Sequence, residues 1–288
     1  MATSGSRVVA DDFLGEVHVY ERHRVGLPRL RPYARQLWRR RRFAWELSRT
    51  NLRAQHFDTA FGQLWLVITP LLLGFVYFLL VDIIRGGAHP RGFLANLLAG
   101  LFAFYFVSTS ISDGSKSVTG GGKLILNTAF PRLLLPISSV ITAFMRFLPT
   151  LLVYAVAHAV SGLRFSPHLL WAIPVVALLV LFSTGMAILF ATLQVYFRDT
   201  RSFLPYFLRI WLYLSPVLYS VHDVPDRLRP FIALNPLYPM LGAWTEILND
   251  GRAPSPGFLA AGLAWAVGTL LVGTLYFMSR EREFAVRL

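Results

Sequence analysis

Two arginines, Arg146 and Arg209, stand inside long apolar stretches of this sequence. A central arginine in a membrane-spanning helix costs about 2.5–3.5 kcal/mol on insertion scales, so it usually faces a cavity or a partner. A guanidinium can bind a diphosphate through two parallel hydrogen bonds. The functional interpretation is that both arginines line a path for an anionic group. The alternative is an interhelical hydrogen bond for Arg146 and snorkelling to the inner surface for Arg209.

Aromatic side chains are dense in the same stretches, and their flat faces suit sugar rings. The candidates for the wall of such a path are Tyr77 and Phe78 in the first stretch, and Tyr206 and Trp211 beside Arg209. Sugars can slide over such faces because these contacts carry no strongly directional hydrogen bonds. The alternative is packing against helices or lipid, since Trp and Tyr favour membrane interfaces in any membrane protein.

The sequence contains no pattern typical of catalysis or nucleotide binding. The run Gly-Gly-Gly-Lys at 120–123 resembles part of a phosphate loop, but Leu124 follows where Ser or Thr is required. Ser117 stands where the loop's earlier glycine is expected. The chain has no cysteine, so disulfides and thiolate metal sites are excluded.

The residues considered so far must be positioned by helices that cross a membrane. The chain has 288 residues, of which 55% are hydrophobic and 15% charged, a composition that is rare among soluble domains. About 20 apolar residues, at 1.5 Å rise per residue, span a hydrocarbon core about 30 Å thick. The sequence therefore predicts an all-α integral membrane protein with six spans. These spans lie at about 61–84, 93–112, 133–163, 168–197, 202–220 and 256–279.

The basic residues predict the orientation of these spans. An arginine-rich segment at 35–53 precedes the first span, and basic residues favour the cytoplasmic side. With both termini inside, cytoplasmic segments hold twenty Lys and Arg residues and external segments hold six. The net charge of +13 is better explained by anionic lipid headgroups than by nucleic acid. We therefore predict a multi-pass plasma membrane protein with both termini in the cytoplasm.

Three segments outside the spans complete the predicted architecture. Residues 1–30 are predicted to be a flexible cytoplasmic extension of a transmembrane domain at 31–288. Residues 33–56 are predicted to form an amphipathic helix in the headgroup plane. The segment at 230–248 is too apolar for a loop and too broken to span, which predicts short re-entrant helices between spans five and six. The residues expected at the lipid headgroups are Trp38, Arg42, Trp45 and Arg49.

Four separated motifs follow one another along the chain. Phe-Gly-Gln-Leu-Trp at 61–65 precedes Pro70, and Lys-Leu-Ile-Leu-Asn at 123–127 precedes Phe-Pro-Arg at 130–132. Phe-Arg-Asp at 197–199 and Leu-Ser-Pro-Val-Leu-Tyr at 214–219 form the third, and Leu-Asn-Pro-Leu at 234–237 the fourth. In order and spacing they resemble ABC-2 type polysaccharide export permeases, although glycines replace the family's earlier Asn in the second motif. The overall resemblance is strongest to the actinobacterial galactan exporters.

The resemblance implies a permease subunit that is not itself an enzyme. It implies a homodimer that binds two copies of a separate ATPase, which carries the ATP and Mg, with no cofactor in this chain. It implies that the cargo is a polysaccharide on a polyprenyl diphosphate, and galactan in particular. The residues that the resemblance places at the contact with the ATPase are Lys116, Lys123, Leu124, Asn127 and Arg132.

Two other classes of protein are alternatives at this stage. An ABC-2 drug or antibiotic exporter shares the six-span layout, but it should lack the amphipathic helix before the first span. A membrane glycosyltransferase would need an external acidic site, although solvated loop carboxylates are far commoner. The carboxylates available for such a site are Asp223, Asp226, Glu246 and Asp250.

Overall fold

The computed structural model describes residues 30–54, 61–86, 92–128, 130–163, 166–219, 224–227 and 229–287. Within these residues all regular structure is helical, which confirms the all-α class. The predicted extension at 1–30 lies, apart from Leu30, outside the described residues. The helices are α1 (Leu30–Arg39), α2 (Arg41–Ala54), α3 (Trp65–Arg85), α4 (Phe93–Gly120), α5 (Gly122–Asn127), α6 (Leu134–Val160), α7 (Ala172–Tyr196), α8 (Thr200–Leu214), α9 (Arg229–Ala233), α10 (Leu237–Leu248), α11 (Pro256–Arg280) and α12 (Phe284–Arg287).

Five helical segments in the described residues are long and apolar enough to cross a membrane. An apolar helix of about 20 residues suits the hydrocarbon core because it closes its backbone hydrogen bonds internally. These segments correspond to the predicted spans one, two, three, four and six. They are Trp65–Ile83, Phe93–Gly120, Leu134–Val160, Pro167–Tyr196 and Pro256–Glu283.

The predicted fifth span, at 202–220, is shorter than expected. The helix in this region, α8, has 15 residues, which at 1.5 Å each extend about 22 Å. It ends where Ser215 adopts an extended backbone, because the following Pro216 disfavours helical geometry in the residue before it. Helix length therefore supports five complete spans and leaves α8 as a partial one.

Helix α4 lies at the centre of the bundle. It packs against α6 and α7, and α7 packs in turn along α11. A Cβ atom on Gly114 of α4 would lie 2.5 Å from the Cβ of Ala187 in α7. Gly185 of α7 similarly leaves room for the backbone of Thr269 in α11. Small residues at such crossings let helix backbones approach closely in a membrane.

Helix α3 is peripheral by comparison. In its most apolar stretch 11% of residues are buried, compared with 72% in α4. Its principal contacts are with α4 and α6. Most of its apolar surface is therefore available to lipid or to another protein.

The segment predicted to be re-entrant forms two short helices, α9 and α10. Helix α10 has 12 residues, nine of them buried, and it packs against α4, α7 and α11. At about 18 Å it is too short to span. The Nε1 of Trp244 donates a hydrogen bond to the carbonyl oxygen of Ala99 in α4 (3.0 Å). This contact holds α10 against α4.

The predicted amphipathic helix at 33–56 is divided into α1 and α2, with a turn at Arg40. Helix α2 packs on α6 through small residues, and the Ser48 hydroxyl donates to the Ser138 carbonyl oxygen (2.8 Å). Trp38 and Trp45 are 68% and 49% exposed. The tryptophans therefore lie away from the face that contacts the bundle.

Candidate functional site

Arg146 is held by a partner in the neighbouring helix. It is the thirteenth residue of α6, and its Nη1 lies 3.2 Å from Oδ2 of Asp113 in α4. The two side chains are 20% and 34% exposed. The interhelical alternative is therefore present in the structure as an ion pair. The pair does not use the whole guanidinium, because Nε is buried without a hydrogen-bond partner among the described residues.

Two cavities meet at Arg146, which lines both. The polar cavity, of about 580 Å³, lies between α2, α4, α5 and α6 and is lined by Asn51, Asp113, Lys116 and Ser139 among others. The apolar cavity, of about 500 Å³, lies between α3, α4 and α6. Its walls are mainly aliphatic and aromatic, and include Trp65, Leu73, Phe106 and Phe147.

Arg209 lies on the exposed face of α8, in an environment unlike that of Arg146. Phe203, Tyr206, Ile210 and Tyr213 lie on the same face at spacings of three and four residues, and each is at least half exposed. Such spacing forms one stripe along a helix. A guanidinium and two phenols therefore interrupt a surface that is otherwise apolar.

Tyrosines from three helices gather near Arg209. The hydroxyl of Tyr77 in α3 interacts with Tyr105 of α4 and Tyr213 of α8, and the positive charge of Arg209 acts on both Tyr77 and Tyr105. Tyr77 was predicted for this role, whereas no sequence pattern singles out Tyr105 and Tyr213 for it. The predicted Phe78 packs instead against Phe93, with 6.2 Å between ring centroids.

Trp211, predicted to line the path, does not share the exposed face of α8. It is 7% exposed, and its Nε1 donates to Oδ1 of Asn235 (2.8 Å). Its ring also packs edge-on against Phe182 of α7. Within this chain Trp211 is a core residue and is not available to line a path.

Asn235 joins the third and fourth sequence motifs. Its Nδ2 donates to the Leu214 carbonyl oxygen (3.0 Å) and to the Ser215 hydroxyl (3.1 Å). Its Oδ1 accepts from the backbone N–H of Leu237 (3.0 Å) as well as from Trp211. Because the backbone groups at helix ends lack helical partners, one amide side chain satisfies the end of α8 and the start of α10. The junction fixes the position of the Arg209 face.

The residues predicted to contact the ATPase fall into three environments. Lys116 is exposed near the C-terminal end of α4, while Leu124 of α5 is partly buried. The side chains of Lys123 and Asn127 lie outside the described part of the structure. Arg132 is engaged internally, since its backbone N–H donates to Oε1 of Glu281 (2.6 Å) and its Nη1 to the Glu281 carbonyl oxygen. The structure thus keeps Lys116 at the surface and ties Arg132 to the chain's C-terminal region.

The contact of Arg132 with Glu281 belongs to a basic pocket at the C-terminal end of α11. Arg39 and Tyr33 of α1 also line this pocket, which has a volume of about 710 Å³. Burial is the main cause that raises the pKa of Tyr33, and the nearby Glu281 carboxylate raises it further. Helix α1 therefore lies beside the predicted ATPase-contact region, as expected for the amphipathic segment.

The side chains predicted at lipid headgroups are accessible. Arg42 and Arg49 are exposed together with both tryptophans, and the Arg41 guanidinium lies 4.5 Å from the centre of the Trp38 ring. Guanidinium–indole pairs of this kind stabilise exposed sites by about 0.5–1 kcal/mol. The surface combines cations with amphipathic rings, as interfacial segments do.

The external carboxylates do not form a metal site within the described residues. Asp223 lies outside those residues. An oxygen of Glu246 accepts a hydrogen bond from the backbone N–H of Ser255 (2.9 Å), and Asp250 pairs with Arg252 (3.4 Å). Glu246, in α10, and Asp250, just after it, therefore make local contacts.

Long apolar helices, a central close-packed α4 and isolated arginines together define a multi-pass membrane protein. The sequence matches the ABC-2 type transporter family over residues 44–249, which extend from α2 to the end of α10. The chain belongs to this family and is a transporter membrane component, so the predicted class is confirmed.

Individual relatives cover most of the chain. It is 30% identical over 206 residues to the O-antigen export system permease protein RfbA of Klebsiella pneumoniae, covering 71% of this chain and 79% of the relative. It is 29% identical over 257 residues to the protein of the same name from Myxococcus xanthus, covering 87% and 97%. It is 22% identical over 239 residues to the polysialic acid transport protein KpsM of Escherichia coli, covering 76% and 86%.

Proposed function

We propose that this chain is the permease subunit of an ATP-driven exporter of polysaccharide carried on a polyprenyl diphosphate. The cargo moves from the cytoplasmic to the outer face of the plasma membrane. The relatives named as O-antigen and polysialic acid transporters support polysaccharide as the cargo class. The sequence resemblance to actinobacterial exporters favours galactan as the particular polysaccharide.

The single observation that carries this proposal is the face of α8 around Arg209. The guanidinium acts on the hydroxyls of Tyr77 and Tyr105, each thirteen residues into its helix. We infer from this neighbourhood that Arg209 lies near the level of these hydroxyls and does not snorkel to the inner surface. An exposed cation at that depth requires water or a polar partner, so the face borders a polar path.

The path needs a second copy of the chain to close it. Both α8 and α3 expose residues that one copy leaves uncovered, and pairing of two copies would place two such faces opposite one another. Sugar hydroxyls and phosphates lose their water in hydrocarbon, and a wall of phenols, rings and guanidinium groups replaces part of that hydration. Tyr206 and Arg209 are the central contacts that we assign to the cargo.

Energy for transport comes from partner ATPase subunits, two for each pair of permeases, and these hold the ATP and Mg. We assign the ATPase contact to α5, which carries Lys123, Leu124 and Asn127. The excess of basic residues in this region and near both termini supports a cytoplasmic location for them. ATP binding then moves α5, which follows directly on α4 at the centre of the bundle.

The test is transport in proteoliposomes that contain the permease, its co-purified ATPase and galactan linked to decaprenyl diphosphate. Arg209→Ala should lower the export rate by about tenfold or more, since a charge-assisted contact contributes about 1.5–3 kcal/mol. Arg201→Ala, at the exposed start of α8, is the matched control and should export normally. Full export by Arg209→Ala, or no export by the wild-type complex, would contradict the proposal.

A further inference from the structure

The polar and apolar cavities lie next to each other within one copy of the chain. They meet at Arg146, so a hydrogen-bonding compartment adjoins an apolar one with a cation at the boundary. Helix α8, which carries the proposed path, contributes no lining residue to either cavity. The apolar cavity shares Tyr105 with the neighbourhood of Arg209, but Arg209 and the exposed face of α8 line neither cavity.

The charges at this boundary favour an anion. The charged residues that line the two cavities are Asp113, Lys116 and Arg146, which leaves one net positive charge. Lys116 lies one turn beyond Asp113 on α4, with its Nζ 3.4 Å from the Ser112 hydroxyl. Two cations separated in this way suit two linked phosphates better than one carboxylate.

The guanidinium of Arg146 also has N–H donors that the ion pair does not use. Asp113 engages Nη1 (3.2 Å), while Nε is buried and without an acceptor among the described residues. A guanidinium has five N–H donors in a rigid fork. The ion pair holds Arg146 in place, while 20% of its side chain stays exposed where it lines both cavities, so N–H groups that the pair does not use can bind phosphate oxygens.

We propose that the polar and apolar cavities together form a loading site for an amphiphile with a diphosphate head and an isoprenoid tail. The head binds Arg146 and Lys116 in the polar cavity, beside Asn51 and Ser139. The tail begins in the apolar cavity, along Phe106 and Phe147. It continues into lipid past α3, which covers the bundle only sparsely.

This inference rests on the proposed lipid-linked cargo and adds where that cargo first binds. The site lies inside each copy and next to α2, so loading would precede movement into the path between copies. Arg146 acts at loading and Arg209 during passage, and the two arginines therefore have separate measurable roles.

The test is equilibrium binding of geranylgeranyl diphosphate to the purified permease in nanodiscs without an ATPase. A double variant, Asp113→Asn with Arg146→Gln, replaces the ion pair by two neutral amides and leaves no unpaired charge in the bundle. It should weaken binding by about 10- to 100-fold, because it removes charge-assisted hydrogen bonds. Arg146→Lys keeps the charge without the fork and should weaken binding less. Arg201→Ala is the matched control with wild-type affinity.

Two further probes measure separately how much the diphosphate head and the isoprenoid tail contribute to binding. Geranylgeraniol should bind at least about tenfold more weakly, since it lacks the groups that Arg146 recognises. Inorganic diphosphate should also bind more weakly, because it leaves the apolar cavity without a tail. Equal affinity for geranylgeraniol, equal affinity for inorganic diphosphate, or unchanged binding by the double variant would each overturn the inference.

The outcome is distinguishable from failure of the proposed function. If the double variant binds normally while the wild-type complex exports polysaccharide, the loading site is wrong and the function stands. If geranylgeranyl diphosphate binding depends on Arg146 but no export occurs, the site stands as a diphosphate-lipid site and the export proposal fails.

Discussion

Arg146 and Arg209 look alike in the sequence but lie in different surroundings. Each is a lone arginine in an apolar stretch, yet Arg146 pairs with Asp113 between two helices of one chain. Arg209 lies on an exposed face of α8 near phenolic hydroxyls. A charge that is paired with a counterion in the same chain stabilises the fold. An exposed charge at membrane depth instead indicates contact with water or with a partner molecule. The difference separates a residue paired within the bundle from one that faces the path proposed above.

The largest expected effect is on stability, and it distinguishes the two arginines directly. Asp113→Ala leaves Arg146 without its counterion and should lower the free energy of unfolding by about 3 kcal/mol. Both partners keep partial exposure, so the loss should lie at the low end for buried pairs. Arg209→Ala should change it by less than about 0.5 kcal/mol. Thermal melting of the three proteins in one detergent measures both, and equal losses would remove the distinction.

A second prediction concerns what holds the Arg209 face in place. Asn235→Ala removes four hydrogen bonds at the α8–α10 junction and should lower the free energy of unfolding by about 2 kcal/mol, since each bond contributes roughly 0.5–1.5 kcal/mol and water replaces some. Asn249→Ala, which removes one bond to Asn96, is the matched control with a loss of about 1 kcal/mol. Comparable melting temperatures would show that the junction does not position α8.

The long apolar helices could be predicted from the sequence, but the partner of Arg146 could not. The second span was predicted to end at the polar residue Ser112, which left Asp113 outside it. In the structure α4 continues to Gly120 because serine hydroxyls bond back to helical carbonyls, as Ser115 does to Ser112 and Ser117 to Gly114. Polar side chains that hydrogen-bond to the carbonyl groups of their own helix in this way do not end it. The helix therefore includes Asp113.

The orientation of Trp211 was unpredictable for a different reason. Helix α8 has aromatic residues on several faces, so its periodicity does not say which ones face the core. The orientation of Trp211 is fixed by Asn235, which lies 24 residues later in the sequence and accepts a hydrogen bond from the indole N–H. By contrast, the early end of α8 has a local cause in Pro216, and the sequence contains that signal.

A third prediction tests whether the Arg209 face meets water or lipid. The chain has no cysteine, so single substitutions report on one position each. Tyr206→Cys on α8 and Leu271→Cys on α11 replace side chains that are 66% and 56% exposed. A thiol reacts as the thiolate, which needs water, so the Tyr206→Cys protein should react with a charged maleimide about tenfold faster in proteoliposomes. Equal slow rates would place the α8 face against lipid and leave Arg209 without a path.

The smallest expected effect concerns association of the permease with its ATPase. Neither Arg146 nor Arg209 should take part in this contact. Lys123→Glu reverses a charge on the predicted coupling helix α5 and should weaken ATPase association by about three- to tenfold, as one screened surface contact contributes 0.2–1 kcal/mol or slightly more. Arg132→Glu would also disturb the contact with Glu281, so Lys123 gives the cleaner measurement. Arg201→Glu, exposed at the start of α8, is the charge-matched control.

Co-purification stoichiometry measures the result, and Arg146→Ala and Arg209→Ala should both retain the wild-type ratio. If either arginine variant lost the ATPase while Lys123→Glu kept it, the arginines would act in assembly, and the separation of loading from passage would fail.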